Sequence, residues 1–262
     1  MPPSSLSIVI PVYNERATLL EVVRRVVASQ AVELGSTVEI LIVDDCSTDG
    51  TREIVEALGA DWRALIPTDD ARAARVRVVT FRHDPNQGKG AALRTGIAKA
   101  TGDLLIVQDA DLEYDPADYP ALLNPLLTGK ADAVYGSRFL PSERRVLLFW
   151  HSIGNGLITL TTNMATDLNL SDAETGYKAF RTSVLKQLDL ESNRFGVEIE
   201  LTAKLARLGV RFYEVPISYH GRGYDEGKKI TWKDGVDALF CIVRFGLVRN
   251  VRKQLGRPHA RG

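Results

Sequence analysis

At 262 residues the chain is long for one ordinary domain and short for two with separate cores. Apolar residues make up 45% and charged residues 25%, which excludes a disordered or fibrous chain. Thirty-three basic residues balance 33 acidic ones, so no overall field draws the protein to nucleic acid. Two cysteines, Cys46 and Cys241, are too few for a disulfide framework and suit a reducing compartment. No apolar run approaches the roughly 18 to 20 residues that cross a bilayer. The start, Met1-Pro2-Pro3-Ser4-Ser5, lacks the basic and apolar regions of a secretory signal. The expectation is a cytoplasmic protein built on one core.

Four short apolar runs, at 7–10, 39–43, 76–81 and 104–107, are each followed by a turn signal and then a helical pattern. Their hydrophobicity is continuous rather than alternating, as in parallel strands covered on both faces. Between them Leu19, Val23, Val26 and Val27, then Ile54, Val55 and Leu58, have helical spacing. The alternation predicts an α/β sheet with right-handed crossovers and ligands beyond the carboxyl ends of its strands. Residues 60–75, with Pro67-Thr68-Asp69-Asp70, read as an exposed insertion. A further strand is expected at 131–135, ending in Gly136-Ser137-Arg138, and then a loop followed by a helix over 139–170. A helix over 198–208 closes at Gly209, and a strand over 210–215 closes at Pro216. Thr231-Trp232-Lys233-Asp234 resembles a capping box and opens a last helix to about Val251.

Each of the first four strands ends in polar residues, and three of them end in carboxylates. The segments are Pro11-Val12-Tyr13-Asn14-Glu15, Asp44-Asp45-Cys46-Ser47-Thr48-Asp49, Asn86-Gln87-Gly88-Lys89-Gly90 and Asp109-Ala110-Asp111-Leu112-Glu113. Helix capping accounts for Asn14 and for one of Ser47, Thr48 or Asp49. It does not account for the acidic pair after the fourth strand, because clustered carboxylates repel. Gly88-Lys89-Gly90 fails both as a P-loop and as a dinucleotide fingerprint, so neither an ATPase nor a dehydrogenase is supported, though the loop can still contact a phosphate through backbone N–H groups and Lys89. In an extended segment Asp109 and Asp111 turn towards one hard cation, Mg²⁺ or Mn²⁺, which can bridge to a diphosphate. A phosphotransferase using an aspartate nucleophile would carry its Asp-x-Asp after the first strand instead.

Together these segments, with Gly136-Ser137-Arg138 and Thr175-Gly176-Tyr177-Lys178-Ala179-Phe180, resemble the family-2 glycosyltransferases of the GT-A fold. The likeness runs from Ser7 to about Phe245 and is closest in the dolichyl- or polyprenyl-phosphate mannosyl- and glucosyltransferase branch. It implies one GT-A domain over 1–245, with a Rossmann-like, mostly parallel sheet flanked by helices, and a basic tail over 246–262. It further implies that Pro11, Tyr13, Glu15 and Asp44 line the nucleotide pocket, and that Asp109, Asp111 and Glu113 hold the metal. Glutamine stands at the place of Glu113 in the best-known mannosyltransferases. By the same resemblance Arg138 faces the acceptor phosphate, and Arg222, Lys228 and Lys229 form a basic loop over the donor phosphates. The Gln-x-x-Arg-Trp signature of processive synthases is missing.

The implied reaction inverts the anomeric centre of a hexose carried by a nucleoside diphosphate of the GDP-mannose or UDP-glucose type. A lipid phosphate acceptor is already ionised and needs cations, whereas a hydroxyl acceptor needs a general base. Glu200 is open to three roles: base, orienting group or helix salt-bridge residue. Arg144-Arg145 before Val146-Leu147-Leu148-Phe149-Trp150 suits an element at a bilayer surface. Six basic residues and no acidic one follow Asp237, which adds to that side. The expected acceptor is a polyprenyl phosphate, reached peripherally at the cytoplasmic face or through a membrane partner subunit. The alternatives are transfer to a glycan or small-molecule hydroxyl, and a nucleotide-sugar-binding module without turnover.

Overall fold

The four apolar runs of the first half become neighbouring parallel strands, as their continuous hydrophobicity requires. A computed structural model describes residues 5–34, 37–69, 71–141, 149–194, 196–221 and 240–248. Strand β1 (Leu6–Val12) leads through α1 (Leu19–Ala28) and the single turn α2 (Ala31–Leu34) to β2 (Val38–Asp44). Helix α3 (Thr51–Leu65), β3 (Val76–Arg82), α4 (Lys89–Lys99) and β4 (Leu104–Val107) follow. The second half comprises α5 (Tyr119–Leu127), β5 (Ala133–Ser137), α6 (Phe149–Thr166) and β6 (Lys178–Arg181). It then runs through the short α7 (Thr182–Leu185), α8 (Val197–Leu208) and β7 (Phe212–Pro216). Residues 240–248 are helical, with Ile242–Val248 of π type.

The sheet order is β3-β2-β1-β4-β6-β5-β7. Every residue of β1 and β2 is buried, because helices cover both faces. On one face Ile8, Ile10 and Val12 join Val22, Leu58, Trp62 and Leu122 from α1, α3 and α5. On the other, Val9 and Leu41 join Leu93, Ile97, Val197 and Leu201 from α4 and α8. Strand β6 is antiparallel to both β4 and β5, with Lys178 opposite Val107 and Tyr135. The carboxyl ends of β1 to β5 and the beginning of β6 therefore share one edge.

Several sequence expectations shift. Residues 60–65 continue α3 beyond a backbone break at Asp61, because Trp62 is buried against the sheet, so the exposed stretch is shorter than 60–75. Lys89 is the first residue of α4, where the sequence suggested only a loop. The helical pattern expected after the fourth run is α5, with Pro125 inside it, whereas strand β6 was not foreseen. Two strands move towards the carboxyl terminus by about two residues, to Ala133–Ser137 and Phe212–Pro216. The Thr231 capping box lies outside the described residues. Among the described residues no helix is long and apolar enough to cross a membrane.

Candidate active site

The loops after β1 and β2 are sewn together by side chains. Asn14, at φ 53°, donates its N–H to Ser47 Oγ at 2.9 Å, and its Oδ1 accepts from Thr48 N at 2.8 Å. The Glu15 N–H donates to Thr51 Oγ1 at 2.9 Å, while its carboxylate accepts from the Thr18 hydroxyl. Asp49 accepts from Thr51 and Arg16, which is a local turn role. Pro11 is buried in β1 and Tyr13 is exposed above the edge. Asp44 is buried: Oδ1 accepts from Ser47 N at 3.1 Å, and Oδ2 has no hydrogen-bond partner among the described residues. Glu39, at the opposite edge, accepts from Ser7, Thr101 and Arg77. A buried acceptor left open at the ligand edge is costly unless something donates to it.

Asp45, next along, fixes the loop after β3. Its carboxylate meets His83 Nδ1 at 2.7 Å and accepts from Gln87 N and Gly88 N at 2.9 and 2.6 Å. Gly88, at φ 95°, ends that loop in a conformation few other residues adopt. Lys89 then reaches across to Asp109, with its Nζ 2.7 Å from Oδ1 and 3.0 Å from Oδ2. Burial works against this ammonium, but the charges of Asp109, Glu198 and Asp111 prevail and hold its pKa above the ordinary value.

Residues 110–113 are a turn rather than an extended segment, which corrects the geometry assumed for the acidic pair. Asp111 Oδ1 accepts from Glu113 N at 3.2 Å, and Leu112 adopts φ 62°. The Glu113 carboxylate accepts from the Tyr219 hydroxyl at 2.9 Å. Among the described residues no three His, Cys, Asp or Glu side chains converge as a metal cluster. The structure thus brings Asp109 and Asp111 to one strand end and turns Glu113 towards Tyr219. Gly176 abuts Asp109 so closely that a Cβ would collide with its carboxylate.

Beyond Asp109 the edge holds a second charged group. Arg138, from the end of β5, pairs with the buried Asp172 through Nε at 2.7 Å and a terminal nitrogen at 2.8 Å. Asn155 of α6 accepts from the same guanidinium at 3.0 Å, and the Tyr219 ring lies 5.2 Å from it. Lys178 is buried and donates to Glu198 and to the Thr175 carbonyl. Glu174 has one oxygen buried without a hydrogen-bond partner among the described residues. Burial, with repulsion from Glu198, pushes its carboxyl up to about 7. It therefore binds more protons folded than unfolded, and its contribution to stability falls as pH rises from about 4.5 through 7. Glu174→Gln should accordingly melt higher than the wild type at pH 8 and show a flatter pH dependence. An unchanged difference between pH 5 and pH 8 would contradict this.

A profile described as glycosyl transferase family 2 matches residues 7–189. The chain belongs to that family.

It is thus a glycosyltransferase, and the reading as a module without turnover gives way. An undecaprenyl-phosphate mannosyltransferase of Micrococcus luteus is 32% identical over 95% of this chain and 98% of its own. An undecaprenyl-phosphate 4-deoxy-4-formamido-L-arabinose transferase of Pseudomonas aeruginosa is 33% identical over 71% of this chain, which spans half of that protein. A glucosyl-3-phosphoglycerate synthase of Mycobacterium tuberculosis, crystallised with Mn²⁺ and UDP-glucose, has a TM-score of 0.66. The match covers 93% of this chain and 79% of that one at 23% identity, a likeness of fold. The GT-A architecture expected from the sequence is the one observed.

In this family-2 transferase Arg222, Lys228 and Lys229 lie outside the described residues, as do Arg144 and Arg145. Glu200 takes the salt-bridge role: it is fully buried, accepts from Glu191 N and Ser192 N, and pairs with Lys204 at 2.5 Å. Sequence reasoning missed Asp172, Glu174, Lys178 and Glu198 as members of the site, and offered Lys89 only as a phosphate contact. For Lys89 a signal existed, a lysine between two glycines at the third strand end.

Proposed function

We propose that this transferase moves a hexose from a nucleoside-diphosphate sugar to a polyprenyl phosphate, with inversion and with a divalent cation. The observation that carries the acceptor class is helix α6. Its sequence, from Phe149 to Thr166, contains no charged residue. One side bears Asn155, bonded to Arg138, and Thr159, which accepts from Ala173 N. The other exposes Phe149, Trp150, Ile153, Leu157, Leu160 and Met164, with Trp150 at 78% and Met164 at 77%. An uncharged helix with an apolar stripe outward and the acceptor-side arginine inward suits a site that works at a lipid surface. Two relatives named for undecaprenyl phosphate support the same class.

On the donor side, the open oxygen of Asp44 can accept an N–H of the base, beside Pro11, Tyr13 and Glu15. Asp109 and Asp111 supply hard oxygen donors, and the lysine drawn onto Asp109 shows that this point attracts positive charge; both fit Mg²⁺ or Mn²⁺. When bound, such an ion neutralises charge on the diphosphate. Glu113, whose Oε2 accepts from Tyr219, would add its other oxygen as a third ligand. Arg138 orients the acceptor phosphate, one of whose oxygens attacks the anomeric carbon while the bond to the diphosphate breaks in line. No proton needs removing, because the phosphate is already ionised. Arg222, Lys228 and Lys229 are proposed to close over the donor phosphates.

The test is transfer of labelled sugar from a panel of GDP- and UDP-hexoses to a short polyprenyl phosphate in detergent, followed by the anomeric configuration of the product. Transfer to a glycan hydroxyl but never to the lipid phosphate would defeat this reading. A second test concerns the peripheral location. Sedimentation with anionic vesicles should show binding at low salt, with part of it retained at high salt because apolar burial is not screened. Ile153→Asp with Leu157→Asp should weaken it at least about tenfold. Arg244, paired with Glu191 at 2.8 Å, should contribute little. No binding at low salt would remove the membrane claim.

A further inference from the structure

Lys89 stands between two carboxylates that differ in what they still lack. Asp109, on the sheet edge, holds its ammonium at 2.7 Å through one oxygen and at 3.0 Å through the other. Glu198, in the first turn of α8, is buried and gives Oε2 to Lys178. Its Oε1 is buried, has no hydrogen-bond partner among the described residues, and lies 3.5 Å from Lys89 Nζ. That separation is an ion pair short of a hydrogen bond. An approach of about 0.7 Å brings it to the usual length of a charge-assisted hydrogen bond.

We propose that Lys89 is a displaceable counter-ion of the Asp109–Asp111 site, resting on Asp109 in the metal-free chain and shifting to Glu198 when a divalent cation takes its place. The proposal rests on the reading of Asp109 and Asp111 as the cation site. Two cations on one carboxylate repel each other, so an arriving Mg²⁺ or Mn²⁺ and the ammonium cannot both keep it. A buried ammonium set loose would be costly, and Glu198 Oε1 offers it a landing place without exposure to water. The backbone need not move. Gly90 N and Ala91 N both donate to the Asn193 carbonyl, at 2.7 and 3.2 Å, which pins the first turn of α4. Residues 191 and 192 are in turn held by Glu200 of α8, the helix that carries Glu198. Both carboxylates thus stand on fixed elements, and only the flexible lysine stem rotates.

The test is titration with Mn²⁺ alone, without nucleotide, following the free-ion electron paramagnetic resonance signal. The proteins are the wild type, Lys89→Met, Glu198→Gln, the double variant and Asp111→Asn, with circular dichroism reporting folding. A displaceable counter-ion competes with the metal, so Lys89→Met should bind Mn²⁺ about tenfold tighter or more. Glu198→Gln should bind it more weakly, and that penalty should shrink several-fold once Lys89 is gone. A lysine that merely orients Asp109 predicts the opposite sign for Lys89→Met. Weaker or unchanged affinity in Lys89→Met, or an equal Glu198→Gln penalty in both backgrounds, overturns the proposal. Since Lys89→Met alone carries the sign, a Glu198→Gln protein that fails to fold does not spare it. If Asp111→Asn loses Mn²⁺ binding while Lys89→Met changes nothing, the cation site stands and the counter-ion role falls. If Asp111→Asn binds like the wild type, the cation site itself is wrong and the proposal falls with it.

Discussion

Asp111→Asn is expected to lower the rate of sugar transfer at least about a hundredfold while leaving the melting temperature near that of the wild type. Asn retains an oxygen for the Glu113 N–H, so the turn that follows β4 keeps its hydrogen bond. What it loses is one of the two formal charges available to a divalent ion at this strand end. Stabilisation of a leaving group by a metal is typically worth several kcal/mol, and each 1.4 kcal/mol is about tenfold in rate. Raising Mg²⁺ or Mn²⁺ should recover part of the loss. Initial rate against metal concentration, for both proteins, is the measurement. Near-normal turnover in the variant, or full wild-type activity in excess EDTA, would show that the pair is not the catalytic metal site.

The second large effect is expected at Arg138. Its partner Asp172 is fully buried, so Arg138→Ala takes away the guanidinium paired with that charge and leaves it two weaker bonds, from the residue-138 N–H and Asn155. Breaking a buried pair in this way costs about 3–5 kcal/mol, a fall in melting temperature on the order of 10 °C. Arg138→Ala combined with Asp172→Asn removes both charges and should regain much of that stability. In this refolded background the acceptor dependence should remain impaired, with KM for the polyprenyl phosphate raised more than KM for the donor. If donor affinity drops sharply while acceptor dependence stays normal, the arginine serves the donor side. Recovery of normal kinetics in the double variant would make its role structural alone.

The strands of the first half were legible because burial on both faces leaves a nearly continuous apolar run in β1, β2 and β4, and β3, with Arg77 exposed, keeps enough of one to be found. Strand β6 was not, since Lys178-Ala179-Phe180-Arg181 has charges at both ends. One of them, Lys178, is buried only because Glu198, twenty residues on, comes to meet it. Helix α4 is poorly amphipathic, with Gly90 and Gly96 on buried positions, so the helical pattern expected after the third run could not be given bounds. In α5 the internal Pro125 argued against a helix that tertiary packing nonetheless completes. The acidic strand ends were visible because position along a parallel strand predicts an edge. The ionic cluster of Lys89, Glu174, Lys178 and Glu198 was invisible for the converse reason: its members are brought together by folding, and no local spacing announces them.

The antiparallel insertion of β6 has a genetic consequence. The residues proposed for the nucleotide pocket and the cation, Pro11 to Glu113, precede the end of the acidic turn, whereas Arg138, proposed for the acceptor, follows β5, as do Arg222, Lys228 and Lys229, proposed for the donor phosphates. In the sheet the two stretches join along one ladder of four residue pairs, Leu104 to Val107 against Lys178 to Arg181. Backbone hydrogen bonds in such a ladder are indifferent to the side chains that flank them. Recombination between residues 115 and 132 would therefore exchange the acceptor side, with the basic loop, while inheriting the nucleotide pocket and the acidic turn. A viable hybrid must rematch the packing of Val197 and Leu201 on Leu93 and Ile97, the lysine bridge from Asp109 to Glu198, the bond from Tyr219 to Glu113 and the hold of Arg94 on residues 191–193. Diversification of acceptors on a constant nucleotide pocket and acidic turn is the evolutionary route this topology leaves open.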